Sequence, residues 1–236
     1  MSDTSCILEG RNLSRRYGGF FALADVSIKL RKGEIHGLIG ANGAGKSTLM
    51  DALSGRGITS GTVLLDGVDI GKLDVRARRH AGLARSFQKT SIFPDLTVGE
   101  QIRLAARAAE FDNADEVMDE MLLTHLVNRR AADISYGDQR HLDLALALAG
   151  RPKVLLLDEP AAGLTIEASM KLAALLRDLA QRWGVTVLIV EHDMEVVFSI
   201  CNYLTVLHLG KILAAGEPAA VRAMPQVIEA YLGSVA

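Results

Sequence analysis

Gly40-Ala-Asn-Gly-Ala-Gly-Lys-Ser-Thr48 is the stretch that decides the fold of this 236-residue chain. It fits the pattern G-x-x-x-x-G-K-[ST] and follows an apolar run from Glu34 that predicts a buried strand. The glycines let consecutive backbone N–H groups face one anion. Lys46 then brings a positive charge to the β- and γ-phosphates of a nucleotide, and Ser47 offers a hydroxyl to Mg²⁺. The following helix, which we expect to end near Gly55, presents its positive end to the same phosphates. The stretch therefore predicts a phosphate-binding loop between a strand and a helix.

The composition limits the size of the protein and the partners open to it. The chain, 49% hydrophobic, is long enough for one α/β core and a small second lobe. Lys plus Arg (26) nearly balance Asp plus Glu (28), so the net charge of −2 gives no general attraction to nucleic acid or anionic lipid.

Cysteine usage and apolar run lengths indicate the compartment. Cys6 and Cys201 have no metal-ligand or disulfide spacing, and no signal peptide is recognisable, so we expect a reducing cytoplasm. Apolar runs such as Val185–Val190 have the length of strands, well short of the ~18 residues of a membrane helix. We therefore expect work at a membrane to require docking to another chain.

The residues on both sides of the phosphate loop predict a small β layer. Alternating patterns at Ile7–Leu13 and Ala22–Leu30 predict antiparallel edge strands, and Gly61–Gly67 predicts another short strand. Tyr17 lies in the glycine-rich turn of this layer, where its ring can either stack on a purine or pack on the surface. The basic run Arg76–His80 is interpreted as a solvated helix face.

A helical pattern separates the two halves of the predicted site. Apolar residues recur at helical spacing from Val98 to about Leu126, which predicts a helical subdomain. Phe93 and Pro94 precede it and form either an exposed contact surface or a buried loop anchor. Another helix opens near Ser135, but a serine at a helix start is ordinary N-cap chemistry and carries no functional conclusion alone.

Two carboxylates follow a continuous apolar run that begins at Lys153. Such a run is typical of a strand buried on both faces of a parallel sheet, and ligands of these sheets bind beyond the carboxyl ends of the strands. Asp158 is thus placed to hold Mg²⁺, directly or through water, and Glu159 to reach the water that attacks a γ-phosphate. The alternative, an acidic strand end before Pro160, is disfavoured by the phosphate loop upstream.

A second strand end adds a histidine to the same edge. Ile166–Trp183 predicts an amphipathic helix with Thr165 as its cap and Gly184 as its end. The next strand, Thr186–His192, ends in a histidine on the side of the sheet where Asp158 lies. That position favours contact of His192 with a γ-phosphate over the structural role usual for a lone histidine.

The C-terminal residues predict no further chemistry. Tyr203–Gly216 predicts a terminal hairpin, and the residues from Pro218 to Leu232 predict short helices broken at Pro225.

In chain order, these motifs resemble the ATP-binding cassette (ABC) subunit of ABC transporters over almost the whole chain. Besides the phosphate loop, Gln88 matches the glutamine loop, and Tyr17 matches the aromatic residue that stacks on adenine. Ser135 to Gln139 match the family signature. Asp158 and Glu159 match the Walker B carboxylates, and Ala161 to Thr165 match the D-loop. His192 matches the switch histidine.

One branch of this family is closer than the others. The usual signature L-S-G-G-Q reads Ile134-Ser-Tyr-Gly-Asp-Gln139 here, with Tyr136 in place of the first glycine. This form of the signature resembles that of importers of branched-chain (hydrophobic) amino acids and amides. Three further segments share the resemblance: Glu159-Pro-Ala-Ala-Gly-Leu164, Glu191-His-Asp-Met194 and Ala230-Tyr-Leu-Gly233. Two features depart from that branch: Thr165 stands where Asn is common, and the helical region is shorter. Both departures affect which substrate the resemblance implies.

The resemblance implies an α/β fold: a P-loop NTPase core with a mainly parallel sheet, an N-terminal antiparallel β layer and a helical subdomain. A single ABC domain covers residues 1–236. Its catalytic core comprises residues 1–88 and 151–236, and its helical subdomain lies at about 89–150.

The resemblance also implies the site and its cofactors, ATP and Mg²⁺. The implied catalytic residues are Glu159, His192 and Gln88. Those that bind ATP are Tyr17, Gly40, Ala41, Asn42, Gly43, Ala44, Gly45, Lys46, Ser47 and Thr48, and those that hold Mg²⁺ are Ser47, Gln88 and Asp158. Signature residues that act on a partner subunit's ATP are Ser135, Tyr136, Gly137, Asp138 and Gln139.

The implied function is ATP hydrolysis coupled to transport at the cytoplasmic face of the inner membrane, with branched-chain amino acids or related amides as imported cargo. The implied partners are a second ABC ATPase subunit, identical or homologous, transmembrane permease subunits and a substrate-binding protein, but not nucleic acid. The alternatives are the ATPase of a lipid or lipopolysaccharide exporter, and a soluble ABC ATPase not linked to transport. A third, a nucleotide-binding module without hydrolysis, is disfavoured by Glu159 and His192.

Overall fold

The computed structural model of the chain describes residues 6–57, 59–86 and 91–232, with side chains up to residue 230. Its strands are β1 Cys6–Tyr17, β2 Phe20–Arg31, β3 Ile35–Ile39, β4 Ser60–Leu65, β5 Val68–Asp69, β6 Leu83–Arg85, β7 Val154–Asp158, β8 Thr186–Val190, β9 Tyr203–His208 and β10 Lys211–Gly216. Its α-helices are α1 Lys46–Ser54, α2 Val75–His80, α3 Val98–Ala108, α4 Ala114–Glu120, α5 Tyr136–Leu148, α6 Ile166–Trp183, α7 Met194–Ile200, α8 Pro218–Arg222 and α9 Pro225–Val227. Short 3₁₀ turns at Thr124–Leu126 and Ala131–Asp133 and a wide terminal turn at Ile228–Leu232 complete the described elements.

Two sheets form the frame of the molecule. The larger has the order β10-β9-β3-β8-β7-β6, and all its neighbours pair in parallel except the β9–β10 hairpin. The smaller has the order β2-β1-β4-β5 and is antiparallel throughout. Strands β3, β7 and β8 are buried at every residue, because elements pack on both faces of the larger sheet. The predicted fold, a mainly parallel core with an antiparallel β layer, is confirmed.

The two faces of the larger sheet belong to different hydrophobic clusters. Alternate residues of β7, such as Leu155 and Leu157, pack with the helices α3 to α7. Their neighbours, such as Leu156, pack with α1 and the antiparallel sheet. Since period-two alternation sends successive side chains to opposite faces, one buried strand contributes to both clusters. Helix α1, which follows the phosphate loop, is thereby held between the two sheets.

The stretch from Val98 to about Leu126, where the pattern predicts a helical subdomain, does not form one continuous helix. The chain forms α3, α4 and a 3₁₀ turn instead, with breaks at Glu110 (φ 56°) and Leu122 (φ 58°). At the first break, the Asn113 side-chain oxygen accepts a hydrogen bond from the Gly150 N–H at 2.9 Å. A contact between residues so far apart in sequence cannot be read from local periodicity.

The interpretation of Arg76–His80 as a solvated helix face is wrong for two of its arginines. Arg78 is buried and donates to the carbonyls of Ala52 (3.1 Å) and Leu53 (2.6 Å) in the last turn of α1. Arg79 donates to the carbonyls of Ala147 (2.9 Å) and Ala149 at the end of α5. Both guanidinium groups thus cap helix C-termini, whose last carbonyls lack partners within the helix. Burial lowers the pKa of each from its usual value.

Several predicted boundaries are confirmed by their capping geometry. Helix α6 spans Ile166–Trp183, the Thr165 hydroxyl accepts the Ala168 N–H, and Gly184 has a φ of 66°. Gly55 ends α1 with a φ of 81°, a conformation that glycine adopts without a Cβ penalty. Nowhere in the described ranges does a helix combine the length and the apolar character needed to span a bilayer.

Candidate active site

The phosphate loop connects the carboxyl end of β3 to the first turn of α1. A Cβ at Gly40 would lie 2.3 Å from the Leu207 carbonyl oxygen, and one at Gly45 would lie 2.6 Å from that of Ala22. Gly45 also has a φ of 108°, so a larger residue is excluded on two grounds. Gly45 is the N-cap of α1, and no side chain among the described residues caps this helix end. Its N–H groups are therefore available to bind an anion.

Lys46 folds back over the loop that precedes it. Its ammonium group donates to the carbonyls of Gly40 at 2.6 Å and Ala41 at 3.2 Å, and the residue is buried. Burial lowers the pKa of Lys46, while the charges of Glu159 and Asp158 act in the opposite direction. The positive charge thus lies between the phosphate loop and the two carboxylates at the end of β7.

A cleft of about 330 Å³ opens at the loop and brings most of the predicted residues together, whereas Gly40, Ala41, Ala44 and Asp158 do not line it. Its lining combines residues of the phosphate loop with Tyr17, Glu159 and His192. The ring of Tyr17 is half exposed, and the Arg15 guanidinium carbon lies 4.8 Å from its centroid. The Tyr17 ring is therefore accessible to a purine at the cleft, and its stacking on adenine stays a prediction.

Phe20 is a residue of the cleft that reasoning from the sequence missed. It lies beside Tyr17 in the cleft lining and is 57% exposed. The signal was present, since Phe20 follows Gly18 and Gly19 in the same turn. Two aromatic side chains that flank a glycine turn at the start of a β layer present a broad apolar surface to a purine.

Asp158 and Glu159 lie at the carboxyl end of β7 in different environments. Asp158 is buried, and this burial raises its pKa, although the nearby Arg85 guanidinium acts in the opposite direction. Glu159 has a φ of 51°, which is uncommon for a residue other than glycine. Its N–H donates to the Val190 carbonyl at 2.9 Å, so the end of β8 holds this strained turn in place.

His192 contacts Glu159 directly. The His192 Nε2 atom lies 2.9 Å from the Glu159 Oε1 atom, and both side chains line the cleft. The preceding residue, Glu191, is buried, and its carboxylate accepts the Ala161 N–H at 2.8 Å. Burial raises the pKa of Glu191. The histidine loop, the Glu159 turn and the start of the D-loop are therefore one connected unit.

Arg85 joins Asp158 to helix α1. Its guanidinium lies 3.3 Å from the Asp158 carboxylate and 2.7 Å from that of Asp51, and it donates to the Ser54 hydroxyl at 3.0 Å. Reasoning from the sequence missed this residue. The only local signal was a basic side chain at a strand end shortly before Gln88. Gln88 itself lies outside the described residues, so its predicted roles in catalysis and Mg²⁺ binding stay predictions.

The predicted signature residues occupy the N-terminus of α5. Ser135 is the N-cap: its hydroxyl accepts the Asp138 N–H at 3.2 Å and donates to the Asp138 carboxylate at 2.6 Å. The Gln139 amide donates to the Ala131 carbonyl at 3.0 Å and so supports the preceding loop. Among the described residues that line the Lys46 and Glu159 cleft, none comes from Ser135 to Gln139. Their action on a partner's ATP stays a prediction.

Asp138 departs from the signature in a way that reasoning from the sequence missed. When L-S-G-G-Q is laid residue by residue over Ile134 to Asp138, the acidic side chain takes the position of the final glutamine. Gln139 then lies one residue beyond the motif. A carboxylate therefore stands in the first turn of the helix whose N-terminus the resemblance directs toward a phosphate.

The residues present fit a nucleoside triphosphate and a divalent cation. Gly40 and Gly45 let the loop backbone pack directly against the Leu207 and Ala22 carbonyls, a path that a Cβ at either position would block. The Ser47 hydroxyl and the Asp158 carboxylate are oxygen donors of the kind that Mg²⁺ prefers. The fold and this cleft together define a P-loop nucleotide-binding protein.

Comparison with known proteins narrows this class. The model of the ABC transporter family matches residues 23–162, more than half of the 236 residues, and the chain belongs to this family. It is one of the ATP-binding, ATP-hydrolysing cassettes of that family, as the sequence predicts. A second family model, described as branched-chain amino acid ATP-binding cassette transporter, matches residues 211–236. Membership of the family implies a membrane permease as a partner.

Full-length relatives and solved structures agree with this assignment. The high-affinity branched-chain amino acid transport ATP-binding protein BraF of Pseudomonas aeruginosa is 36% identical, over 96% of this chain and 98% of the relative. The corresponding protein LivG of Escherichia coli is 34% identical over the same shares. A crystal structure of an ABC transporter's ATP-binding cassette in its ADP conformation superposes with a TM-score of 0.88 at 29% identity, covering 98% of this chain and all of that one. A nucleotide-free cassette superposes with a TM-score of 0.87 at 27% identity, over 96% and 99% of the two chains.

Proposed function

We propose that this chain hydrolyses ATP as the nucleotide-binding subunit of an importer for branched-chain amino acids or closely related amides. The observation that carries the hydrolytic part is the convergence of Lys46, Glu159 and His192 on one cleft, with Glu159 and His192 in contact at 2.9 Å. The cargo rests on the functions named for BraF and LivG and on the C-terminal match at residues 211–236.

Glu159 is the general base of the proposed reaction. Its carboxylate accepts a proton from a water molecule as the water oxygen bonds to the γ-phosphorus, and the bond from that phosphorus to the β–γ bridging oxygen breaks. ADP and inorganic phosphate are the products. Lys46 and the N–H groups at the start of α1 stabilise the negative charge on the phosphate oxygens. Ser47, Asp158 and Gln88 would hold Mg²⁺, which supplies further neutralisation of phosphate charge.

His192 orients this base. The imidazole bonds to the Glu159 Oε1 atom and so fixes the orientation of the carboxylate at the cleft. Glu191, next to His192, bonds to the Ala161 N–H of the D-loop. A movement of His192 toward a γ-phosphate would therefore shift the D-loop as well. Charge on the nucleotide is thereby linked to the position of the base.

The permease is proposed to dock in a groove of about 600 Å³ between α2, α3 and the end of α1. Val75, Ala105, Ala108 and Leu146 give this groove an apolar floor, and Arg56, Arg76 and His80 lie along it. A short cytoplasmic helix with an apolar face and acidic flanks fits this chemistry. Arg85 lines the same groove and contacts Asp158. The Arg85 side chain therefore connects an occupant of the groove to the carboxylate that is proposed to hold Mg²⁺.

Phe93 and Pro94, which the sequence leaves as either an exposed contact surface or a buried loop anchor, offer a second surface for the permease. Phe93 is 63% exposed, which is contrary to a buried loop anchor. Its backbone is nevertheless fixed, because the buried Gln101 side chain accepts its N–H at 2.8 Å and donates to its carbonyl at 3.0 Å. A rigid backbone that presents an exposed ring suits contact with a permease, although Phe93 does not line the 600 Å³ groove.

The complete transporter is proposed to contain two cassettes, the permease and a substrate-binding protein, with this chain at the cytoplasmic face of the cell membrane. In a two-fold cassette dimer, the N-terminus of α5 would meet the γ-phosphate held by the other subunit. ATP would draw the dimer shut, and hydrolysis would release it, which moves the permease between its two orientations. Export of lipid or lipopolysaccharide is not favoured by the relatives.

Glu159→Gln tests this function, with Glu167→Gln as a matched control. Both changes replace a carboxylate with an amide, but Glu167 lies on the exposed face of α6, paired with Lys171. We expect Glu159→Gln to bind ATP normally and to lower turnover ~10² to 10⁴-fold, because a general base is lost. In proteoliposomes with the permease and binding protein, ATP-driven uptake of labelled leucine should fall in parallel.

Two results would contradict the proposal separately. Near wild-type hydrolysis by Glu159→Gln would remove Glu159 as the base. Normal hydrolysis by the wild-type complex, with no uptake of any branched-chain amino acid or amide, would overturn the proposed cargo.

A further inference from the structure

Tyr136 and Arg140 bind the same carbonyl of the D-loop. The Tyr136 hydroxyl donates to the Ala162 carbonyl at 3.0 Å, and the Arg140 guanidinium donates to it at 3.2 Å. Arg140 also donates through Nε to the Tyr136 phenol oxygen at 3.1 Å. The two residues are four positions apart on α5, a spacing that places them on one helix face. We call this set of three hydrogen bonds the Tyr136 clamp.

The D-loop is shaped to accept the tyrosine. Gly163 has a φ of 80°, and a Cβ at this position would lie 3.1 Å from the Tyr136 hydroxyl oxygen and 3.2 Å from its ring. Arg140 is buried beneath the contact, with its guanidinium carbon 5.3 Å from the tyrosine centroid. The glycine that usually stands at position 136 of the signature has no side chain with which to make these bonds.

The bonded carbonyl belongs to the turn that carries Glu159. The Ala162 N–H donates to the Glu159 carbonyl at 3.1 Å, and the neighbouring Ala161 N–H donates to the Glu191 carboxylate. The clamp therefore links the N-terminus of α5, through Ala162, to the backbone of Glu159, the proposed base. The same turn is tied to the loop that carries His192.

We propose that Tyr136 and Arg140 are positioning residues that make the signature end of α5 and the Glu159 turn move together. This inference rests on the proposed function, in which α5 faces the partner's ATP while Glu159 faces its own. The clamp then couples the two ATP sites of a cassette dimer. Closure of α5 on one nucleotide pulls on the Ala162 carbonyl and positions Glu159 against the other.

The test uses three variants of the full chain. Tyr136→Phe removes the hydroxyl alone, Tyr136→Gly restores the usual signature residue, and Tyr203→Phe is the matched control. Tyr203 lies at the start of β9, beside His36 in the parallel pairing with β3, and its ring packs 5.2 Å from the His36 ring. It therefore loses a phenol hydroxyl at the opposite end of the sheet from the D-loop.

Two readouts separate positioning from simple loss of stability. Amide hydrogen exchange of nucleotide-free chains at residues 161–164 should rise about 3- to 10-fold in both Tyr136 variants, which corresponds to the loss of the one hydrogen bond that Tyr136 makes to the D-loop. In ATPase assays on dimer-forming samples, kcat should fall by a similar factor and the Hill coefficient for ATP should fall toward 1. Binding of ATP to the monomer and both readouts in Tyr203→Phe should stay at wild-type values.

The outcomes distinguish this inference from the function on which it rests. Faster D-loop exchange with an unchanged Hill coefficient would overturn the coupling and leave the composite site intact. Unchanged exchange would overturn the clamp itself. A wild-type Hill coefficient of 1, with specific activity independent of protein concentration, would overturn the composite site and the coupling with it.

Discussion

Removal of the Arg85 guanidinium should destabilise the chain far more than removal of an exposed cation. The Arg85 side chain is 8% exposed, and its two carboxylate partners, Asp158 and Asp51, are 12% and 32% exposed. Arg85→Gln would leave the Asp158 carboxylate buried beside an uncharged amide. Lys171→Gln is the matched control, since its side chain and that of Glu167 are 73% and 79% exposed.

The expected magnitudes differ by several-fold. Loss of one partner from a buried ion pair costs about 3 to 5 kcal/mol. We take the lower end, about 3 kcal/mol, because Lys46 also lies near Asp158 and the carboxyl can take up a proton. At about 2 to 4 °C per kcal/mol for a chain of this size, the midpoint of thermal unfolding should fall by roughly 6 to 12 °C. The exposed pair contributes little because solvent screens it, so the control should shift by no more than about 2 °C.

Circular dichroism of nucleotide-free chains measures both shifts. A double-mutant cycle with Asp158→Asn then assigns the cost, since Arg85→Gln should cost less once the buried charge is gone, with a coupling of about 1 to 3 kcal/mol. Equal, small shifts for Arg85→Gln and Lys171→Gln would refute the reasoning. Full additivity in the cycle would show that the cost arises elsewhere than at Asp158.

Three further changes test separate parts of the site. Lys46→Ala should weaken binding of a fluorescent ATP analogue about 10- to 100-fold, because a charged hydrogen-bond donor to the phosphates is lost, and unchanged binding would exclude the phosphate-loop role. Glu191→Gln should gain stability relative to wild type as pH rises. Burial raises the pKa of Glu191 above the usual value of a glutamate, so the wild-type free energy of unfolding falls as pH rises from that usual value through the raised one. Urea titrations from pH 4 to 8 measure this difference, and a constant difference would contradict it. Asp138→Gln should lower the KM for ATP of the dimer about 2- to 5-fold, since it removes a negative charge from the first turn of α5, and an unchanged KM would show that Asp138 does not face phosphate.

The elements that could be predicted from the sequence are those whose signals are local. Helix α6 carries its own cap at Thr165, its own stop at Gly184 and an uninterrupted apolar stripe, so its bounds match the prediction. The strand that ends at Asp158 is equally self-contained, because burial on both faces produces a continuous apolar run. The phosphate loop needs glycines in conformations that other residues rarely adopt.

The features that could not be predicted depend on partners distant in sequence. Arg78 reads as a surface cation, and only the fold brings it to the end of α1, 25 residues earlier in the chain. The hydrogen bond from Gly150 to Asn113, at the break between α3 and α4, likewise joins residues distant in sequence. Arg85 shows no local feature that marks it as the link between Asp158 and Asp51.

Motif matching has a different limit. It identifies a residue's position but not its contacts, which is why the signature pattern marked Tyr136 as a departure without revealing its bond to Ala162. The same limit applies to Phe20, which belongs to the cleft by geometry and to no motif.

The dependence of specific ATPase activity on protein concentration tests the central claim most directly. If hydrolysis requires the Ser135 end of α5 from a second cassette, activity per chain should rise with concentration and level off as the dimer saturates. Mixing in Ser135→Arg chains, which retain nucleotide binding, should inhibit wild-type chains. Activity per chain that stays constant on dilution, from a species shown by sedimentation to be monomeric throughout, would contradict the account.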